Sequence, residues 1–283
     1  MSKISALIKL LEDPDEQIFS QVRNEILSMG EMAIPDLENA LVSSSNEDYT
    51  ERITDILNDI QTERLVKNFA HWKNSQEQDL LELMVLIEQI RDFNFVKQHI
   101  VERIAQIKMD IWLELNEHQT ILEQIKIINR IFYAKHGLTA DEKEPANLHH
   151  FFVYNVLMSK KGNDTTLGVL YLYLAQSQRI SFSGVKLLSN FLLAYTHSSG
   201  SKSLDDVLFY LNPYKNAAMF PLSNLLEYFA AAGIKLNVSE VTPCSNVDIA
   251  NRWLWFIQQV YINKGDEEKL ALVNKLLELF AHV

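Results

Sequence analysis

Glycine and proline are scarce in this chain, and that scarcity limits the folds open to it more than any motif does. Among 283 residues there are 8 Gly and 6 Pro, where ordinary usage would give roughly 20 and 14. Sandwiches, barrels and propellers are dense in turns, and turns draw heavily on those two residue types. The chain therefore reads as long helices with few breaks. Apolar types make up 47%, ample for a buried core and too much for a disordered chain. The length suggests about two domains.

Charge and cysteine content narrow the function classes. Lys and Arg total 26 against 37 Asp and Glu, a formal charge of −11. A large nucleic-acid footprint needs clustered cations, and no basic stripe with interleaved aromatics is present, so no nucleic-acid partner is expected. Cys244 is the single cysteine, which excludes an intrachain disulfide framework and a cysteine-based metal cage. It fits a reducing compartment. The opening stretch MSKISALIKLLEDPDE is amphipathic and soon meets acid, unlike a signal peptide. No apolar run approaches the ~20 residues of a membrane span. The expectation is a soluble, cytoplasmic, helix-rich protein with no membrane partner.

Residues 4 to about 70 read as short stacked helices. Ile4, Leu7, Ile8, Leu10 and Leu11 form one apolar stripe. In Asp13-Pro14-Asp15-Glu16, Asp13 suits a cap, Pro14 the first helical position and Glu16 a capping box. The next stripe ends at Gly30, and Ile34-Pro35-Asp36-Leu37 opens a third helix through Leu41. This order resembles a HEAT-type unit, with about two units in view. Further helical stripes run from 76 to 137. The polar stretch Thr139–Asn147 marks the internal boundary, giving expected parts at 1–138, 139–235 and 236–283. A helix through Phe152–Leu157 precedes the turn Gly162-Asn163-Asp164-Thr165-Thr166, which feeds an apolar helix over 167–176. Strands are expected over 183–187, 190–196 and 207–211, with His197–Ser203 as a hairpin loop. Helices return over 221–232, 247–262 and 266–281, the last two forming a hairpin.

Several of these elements occur together in a known order. Val156-Leu157, Lys161-Gly162, Leu170-Tyr171 with Leu174-Ala175, Gly184-Val185, Phe191-Leu192-Leu193 and Asn212-Pro213-Tyr214 follow the pattern VL..RKG, GxPxSL, LYxxLA, GV..PxHF.L and DPF. On these residues the chain resembles the transglutaminase-like superfamily, in particular its SirB-type branch of bacterial proteins. The resemblance implies an α+β fold that is predominantly α-helical. A HEAT-like helical region would precede a small transglutaminase- or papain-like core with a short antiparallel sheet, and a helical hairpin would follow it.

The catalytic members use a Cys-His-Asp set, in which a thiolate attacks a carbonyl, an imidazole relays the proton and a carboxylate orients the imidazole. Aligned residue by residue, the nucleophile position is Thr166, the histidine position Asn190 and the aspartate position Asn212. A threonine hydroxyl needs a base, and an asparagine amide is none near neutral pH. The chain is therefore expected to be a pseudoenzyme acting through a protein partner as an interaction or scaffold module, with no catalytic residue, metal or cofactor. Two rivals stand beside this reading. One is a hydrolase or acyl transferase with a rearranged set, pairing Thr166 or Ser189 with His197. The other is a peptide- or small-ligand-binding module using the old cleft.

The remaining chemistry-bearing residues have plainer readings. Cys244 has no cation adjacent in sequence and reads as structural. Asp164, Thr165 or Thr166 is expected to cap the following helix; an anion at that turn would face Asp164. His149-His150 lacks the spacing of a chelating pair, and His71, His118 and His136 are isolated. Trp253 and Phe256 share a helix face, with Trp255 turned elsewhere. Asp266-Glu267-Glu268 suits a helix start.

Overall fold

Helices dominate, as the shortage of breakers predicts, and they fall into two units that divide between His71 and Trp72. The structure is a computed structural model that describes residues 3–188, 190–197 and 200–281.

The first unit is all-helical: α1 (Lys3–Leu10), α2 (Glu16–Met29), α3 (Ile34–Ser43) and most of α4 (Glu47–Asn74). Its core is built on Leu11, Ile26, Leu37, Ile53 and Ile56, all fully buried. Two local expectations shift. Asp15, not Asp13, caps α2, accepting from Gln17 N at 2.8 Å. The Asp13 carboxylate is taken up by Asp15 N at 2.9 Å, so the helix starts beyond Pro14. The short helices expected up to residue 70 give way to one 28-residue helix, α4, because no glycine or proline interrupts 47–74.

The second unit holds α5 (Leu80–Arg91), α6 (Gln98–Trp112), α7 (Ile121–Asn129), β1 (Thr139–Ala140), α8 (Val153–Ser159), β2 (Lys161–Gly162) and α9 (Asp164–Ser177). It continues with β3 (Phe182–Leu187), β4 (Asn190–Thr196), β5 (Val207–Asn212), β6 (Ala218–Phe220), α10 (Leu222–Ala231), α11 (Val238–Val241), α12 (Asn246–Lys264) and α13 (Glu267–Glu278). The stretch expected as a boundary, 139–147, lies inside this unit, where β1 pairs with β2 in parallel.

Strands β3 to β6 form an antiparallel sheet in sequence order, one strand more than the pattern of apolar residues suggests. The strand β6 has only three residues, too short for a periodicity to register. Alternation sorts β4 between two faces. Leu192 and Ala194, with Tyr210 of β5, pack against Leu225 and Phe229 of α10. Phe191 turns the other way, onto α9. That helix is buried on every side from Thr165 to Leu172, with α5, α6, α8, β3 and β4 around it. A helix that is apolar all round must sit in a core. Close approach requires Gly168: a Cβ there would lie 2.2 Å from Phe191 Cδ1.

A carboxyl group is fully buried in this core. Glu88 of α5 is fully enclosed; its Oε1 accepts from Tyr154 N at 2.7 Å, and Arg91 Nη2 lies 3.4 Å from Oε2. Burial pushes its carboxyl up to about 7, against the pull of the Tyr154 N–H and Arg91.

Two outcomes are expected. Gly168→Ala should lower the unfolding free energy by about 2–3 kcal/mol in urea titration, because Phe191 must leave its place. For Glu88, the folded carboxyl binds its proton more tightly than the unfolded one. The natural chain therefore loses stability as pH rises from about 4.5 to 7. Relative to it, Glu88→Gln should gain up to about 3 kcal/mol between pH 4.5 and 8 in paired denaturation curves; a pH-independent difference would contradict the burial argument.

Candidate functional site

The start of α9, the β3–β4 turn and the end of β5 form one neighbourhood, and a half-buried carboxylate ties the first two together. Asn163 caps α9 by accepting from Thr166 N at 2.8 Å. Asp164, Thr165 and Thr166 are therefore first-turn residues and not the cap, because the helix begins three residues earlier than its apolar run. Asp164 Oδ1 accepts from Thr165 N at 2.8 Å and its Oδ2 from Phe191 N at 2.7 Å. The second bond fixes the start of β4 to the start of α9.

Arg252 of α12 completes the clamp. Its Nη2 lies 3.9 Å from Asp164 Oδ2, its Nη1 donates to Leu188 O at 2.7 Å, and its guanidinium carbon sits 4.7 Å from the Phe256 ring centre. Leu188 occupies the left-handed region with φ +47°, an unfavourable conformation for a branched side chain. The Arg252 bond holds the turn at that residue. Burial raises the Asp164 carboxyl above its ordinary range, with Arg252 and the backbone N–H groups acting in the opposite direction.

The end of β5 is fixed separately. Asn212 Oδ1 accepts from Tyr214 N at 3.1 Å. Tyr133 Oη donates to Pro213 O at 2.8 Å and Tyr214 Oη to Asp141 O at 3.1 Å.

Two clefts open here and share Asn190. One, of about 400 Å³, is bounded by Asn163, Asp164, Phe151, Tyr214 and Phe256. The other, of about 390 Å³, runs between the sheet and α10 and takes in Asn212. Asn190 and Asn212 are thus brought to one groove. Thr166 lines neither cleft: it is fully buried, and its Oγ1 has no hydrogen-bond partner among the described residues. His197 is exposed at the far end of β4 from Asn190, about 20 Å along an extended strand. Ser189 lies outside the described residues. Cys244 lies beside the edge strand β3, its N donating to Gly184 O at 2.8 Å, and burial, with Asp248 nearby, pushes its thiol up to about 12.

The other candidates are structural. His150 is buried with Nδ1 3.0 Å from Glu144 O. His149 contacts Asn155, and His136 pairs with Asp110 at 2.7 Å. Trp253 is buried and donates to Phe151 O, while Trp255 is exposed. Asp266 caps α13. Among the described residues no group of three or more His, Cys, Asp and Glu side chains is placed to hold a metal ion. No helix among them is long and apolar enough to cross a membrane.

Sequence reasoning missed the Asp164–Arg252 clamp. One signal was available: Asp164 stands at the proline of the GxPxSL turn, a carboxylate where the pattern has no charge. Asp164→Ala should cost about 2–4 kcal/mol of stability, since it leaves Arg252 buried and unpaired, while Asp164→Asn should cost less by keeping an acceptor. A loss below ~1 kcal/mol for Asp164→Ala in urea unfolding would show that the clamp does not hold the site.

Comparison with known proteins agrees with this architecture. The chain is 26% identical over 178 residues to a UPF0162 protein of Vibrio cholerae, covering 62% of this chain. It spans 63% of that protein's length. No solved structure matches. Residues 98–255, more than half of the chain and all of the site just described but Phe256, match the family model of the transglutaminase-like superfamily, and the chain belongs to that superfamily.

Proposed function

We propose that this chain is a non-catalytic member of the superfamily, of its SirB-type branch, and acts as a protein-interaction module in the bacterial cytoplasm. The observation that carries the reading is the state of Thr166. A threonine hydroxyl becomes a nucleophile only when a base stands in hydrogen-bond contact with it and a substrate carbonyl can reach it. Thr166 Oγ1 has no hydrogen-bond partner among the described residues and is closed to solvent.

The partner positions add support. Asn190 and Asn212 carry amides, which neither accept a proton near neutral pH nor stabilise an imidazolium. A rearranged set using His197 would have to bridge the length of β4. Asp164 is the one carboxylate at the α9 start, and both its oxygens are engaged in holding Phe191, Thr165 and Arg252. In this reading the inherited cleft has become a rigid surface, and the helices around it offer further faces to a partner. The single cysteine, Cys244, fits a reducing compartment.

The test is an amide-hydrolysis and acyl-transfer assay on the natural chain beside Thr166→Ala. Both proteins should show the same background rate. Turnover by the natural chain that disappears in Thr166→Ala would overturn the reading.

A further inference from the structure

The groove between the sheet and α10 has a composition that selects among occupants. Its floor is apolar, made by Leu187 and Leu192 from the sheet and Leu225 and Phe229 from α10. Three carboxamides stand along it: Asn190, Asn212 and Asn224. Asn190 and Asn224 have no hydrogen-bond partner among the described residues, and Asn212 uses only its Oδ1, on Tyr214 N. Tyr228 stands at the rim with 73% of its surface exposed. On a chain of net charge −11, the groove lining contains no carboxylate, and Lys215 is its only charged group.

We infer that this groove binds an extended peptide segment that inserts one large apolar side chain and carries an aspartate or glutamate beside it. The inference rests on the interaction reading above and names the partner's chemistry. The apolar floor takes the anchor residue. Asn190 and Asn224 each offer a donor and an acceptor, the pair that a peptide unit presents in extended conformation, and Asn212 offers its Nδ2 donor. An acyl chain with a carboxylate would fill the floor and leave the three amides unmatched. Charge complementarity places the acidic residue at Lys215. That lysine pairs with Glu142 at 2.5 Å, but both side chains are more than half exposed. Such a pair contributes about 0–1 kcal/mol and exchanges partners at little cost. Tyr228, an exposed amphipathic ring beside an apolar floor, is the type of residue that dominates binding energy in interfaces.

Fluorescence polarisation on the full chain tests this with defined probes. The first is a fluorescein-labelled Gly-Ser heptapeptide carrying adjacent leucine and glutamate. In the second, lysine replaces the glutamate; in the third, serine replaces the leucine. Sodium octanoate serves as the competitor. The leucine–glutamate peptide should bind saturably and about ten-fold more tightly than either control. Lys215→Glu should reverse the preference between the first two peptides. Tyr228→Ala, a change at an exposed position, should weaken binding about ten-fold while leaving the thermal unfolding midpoint in place. Equal binding of all three peptides, no saturable binding of any, or binding of octanoate in place of the peptides would overturn the inference. The two readings fail separately. Turnover lost in Thr166→Ala would remove the non-catalytic reading whatever the peptides do, and absence of selective peptide binding in a chain without turnover would remove this inference alone.

Discussion

The second unit depends on burying α9. From Thr165 to Leu172 every residue of that helix is enclosed, so it has no face to give to water and must be surrounded. The α5, α6 and α8 helices cover one side and the sheet covers the other. Gly168 lets the helix approach β4 closely enough for Phe191 to rest on its backbone. From Tyr171 an aromatic chain runs through Phe132 and Tyr133 on one side and Phe182 on the other. Its hydroxyls are not left idle: Tyr171 donates to Asn129 and Tyr133 to Pro213 O. Burying one apolar helix thereby fixes both the first residues of β4 and the turn after Asn212.

Chemistry and structure meet at the N-terminal end of the same helix. A carboxylate drawn out of water needs hydrogen-bond and charge partners, and half-buried Asp164 finds them on β4, on its own helix and on α12. The clamp joins three segments far apart in sequence, and it holds Leu188 in a left-handed turn that its side chain disfavours. Around it lie buried polar atoms with no hydrogen-bond partner: Asn163 Nδ2, Thr166 Oγ1, and Arg252 Nε and Nη2. An unpaired buried polar atom costs about 1–3 kcal/mol. Local rules are broken most often where a fold carries a functional site, and here the breaches gather where catalytic relatives keep their nucleophile.

Much of the fold was legible because it rests on periodicity and on breakers. The stripes of α5, α6 and α7, the stops at Gly30 and Gly265, the β3–β4 pair and the final hairpin all follow from local pattern. The misreadings have local causes as well. The length of α4 was hidden because a strongly polar helix shows a weak stripe, and its lack of glycine and proline was the better guide. The start of α9 was set three residues late because an apolar run marks the buried part of a helix and not its cap. The strand β6 was too short to show alternation.

The candidate site was legible in position and not in state. Order and spacing along the chain are covalent facts carried by the sequence alone, and through the resemblance they align Thr166, Asn190 and Asn212 with the three family positions. Residue type also determined that these three positions carry a hydroxyl and two amides. Only the tertiary structure decided that the Thr166 hydroxyl is sealed, that Asn190 and Asn212 share a groove, and that Asp164 and Arg252 hold that groove's edge. Burial, pairing and accessibility are properties of what surrounds a side chain, and the surroundings of α9 come from segments as distant as α5 and α12, which no local reading of the chain brings together.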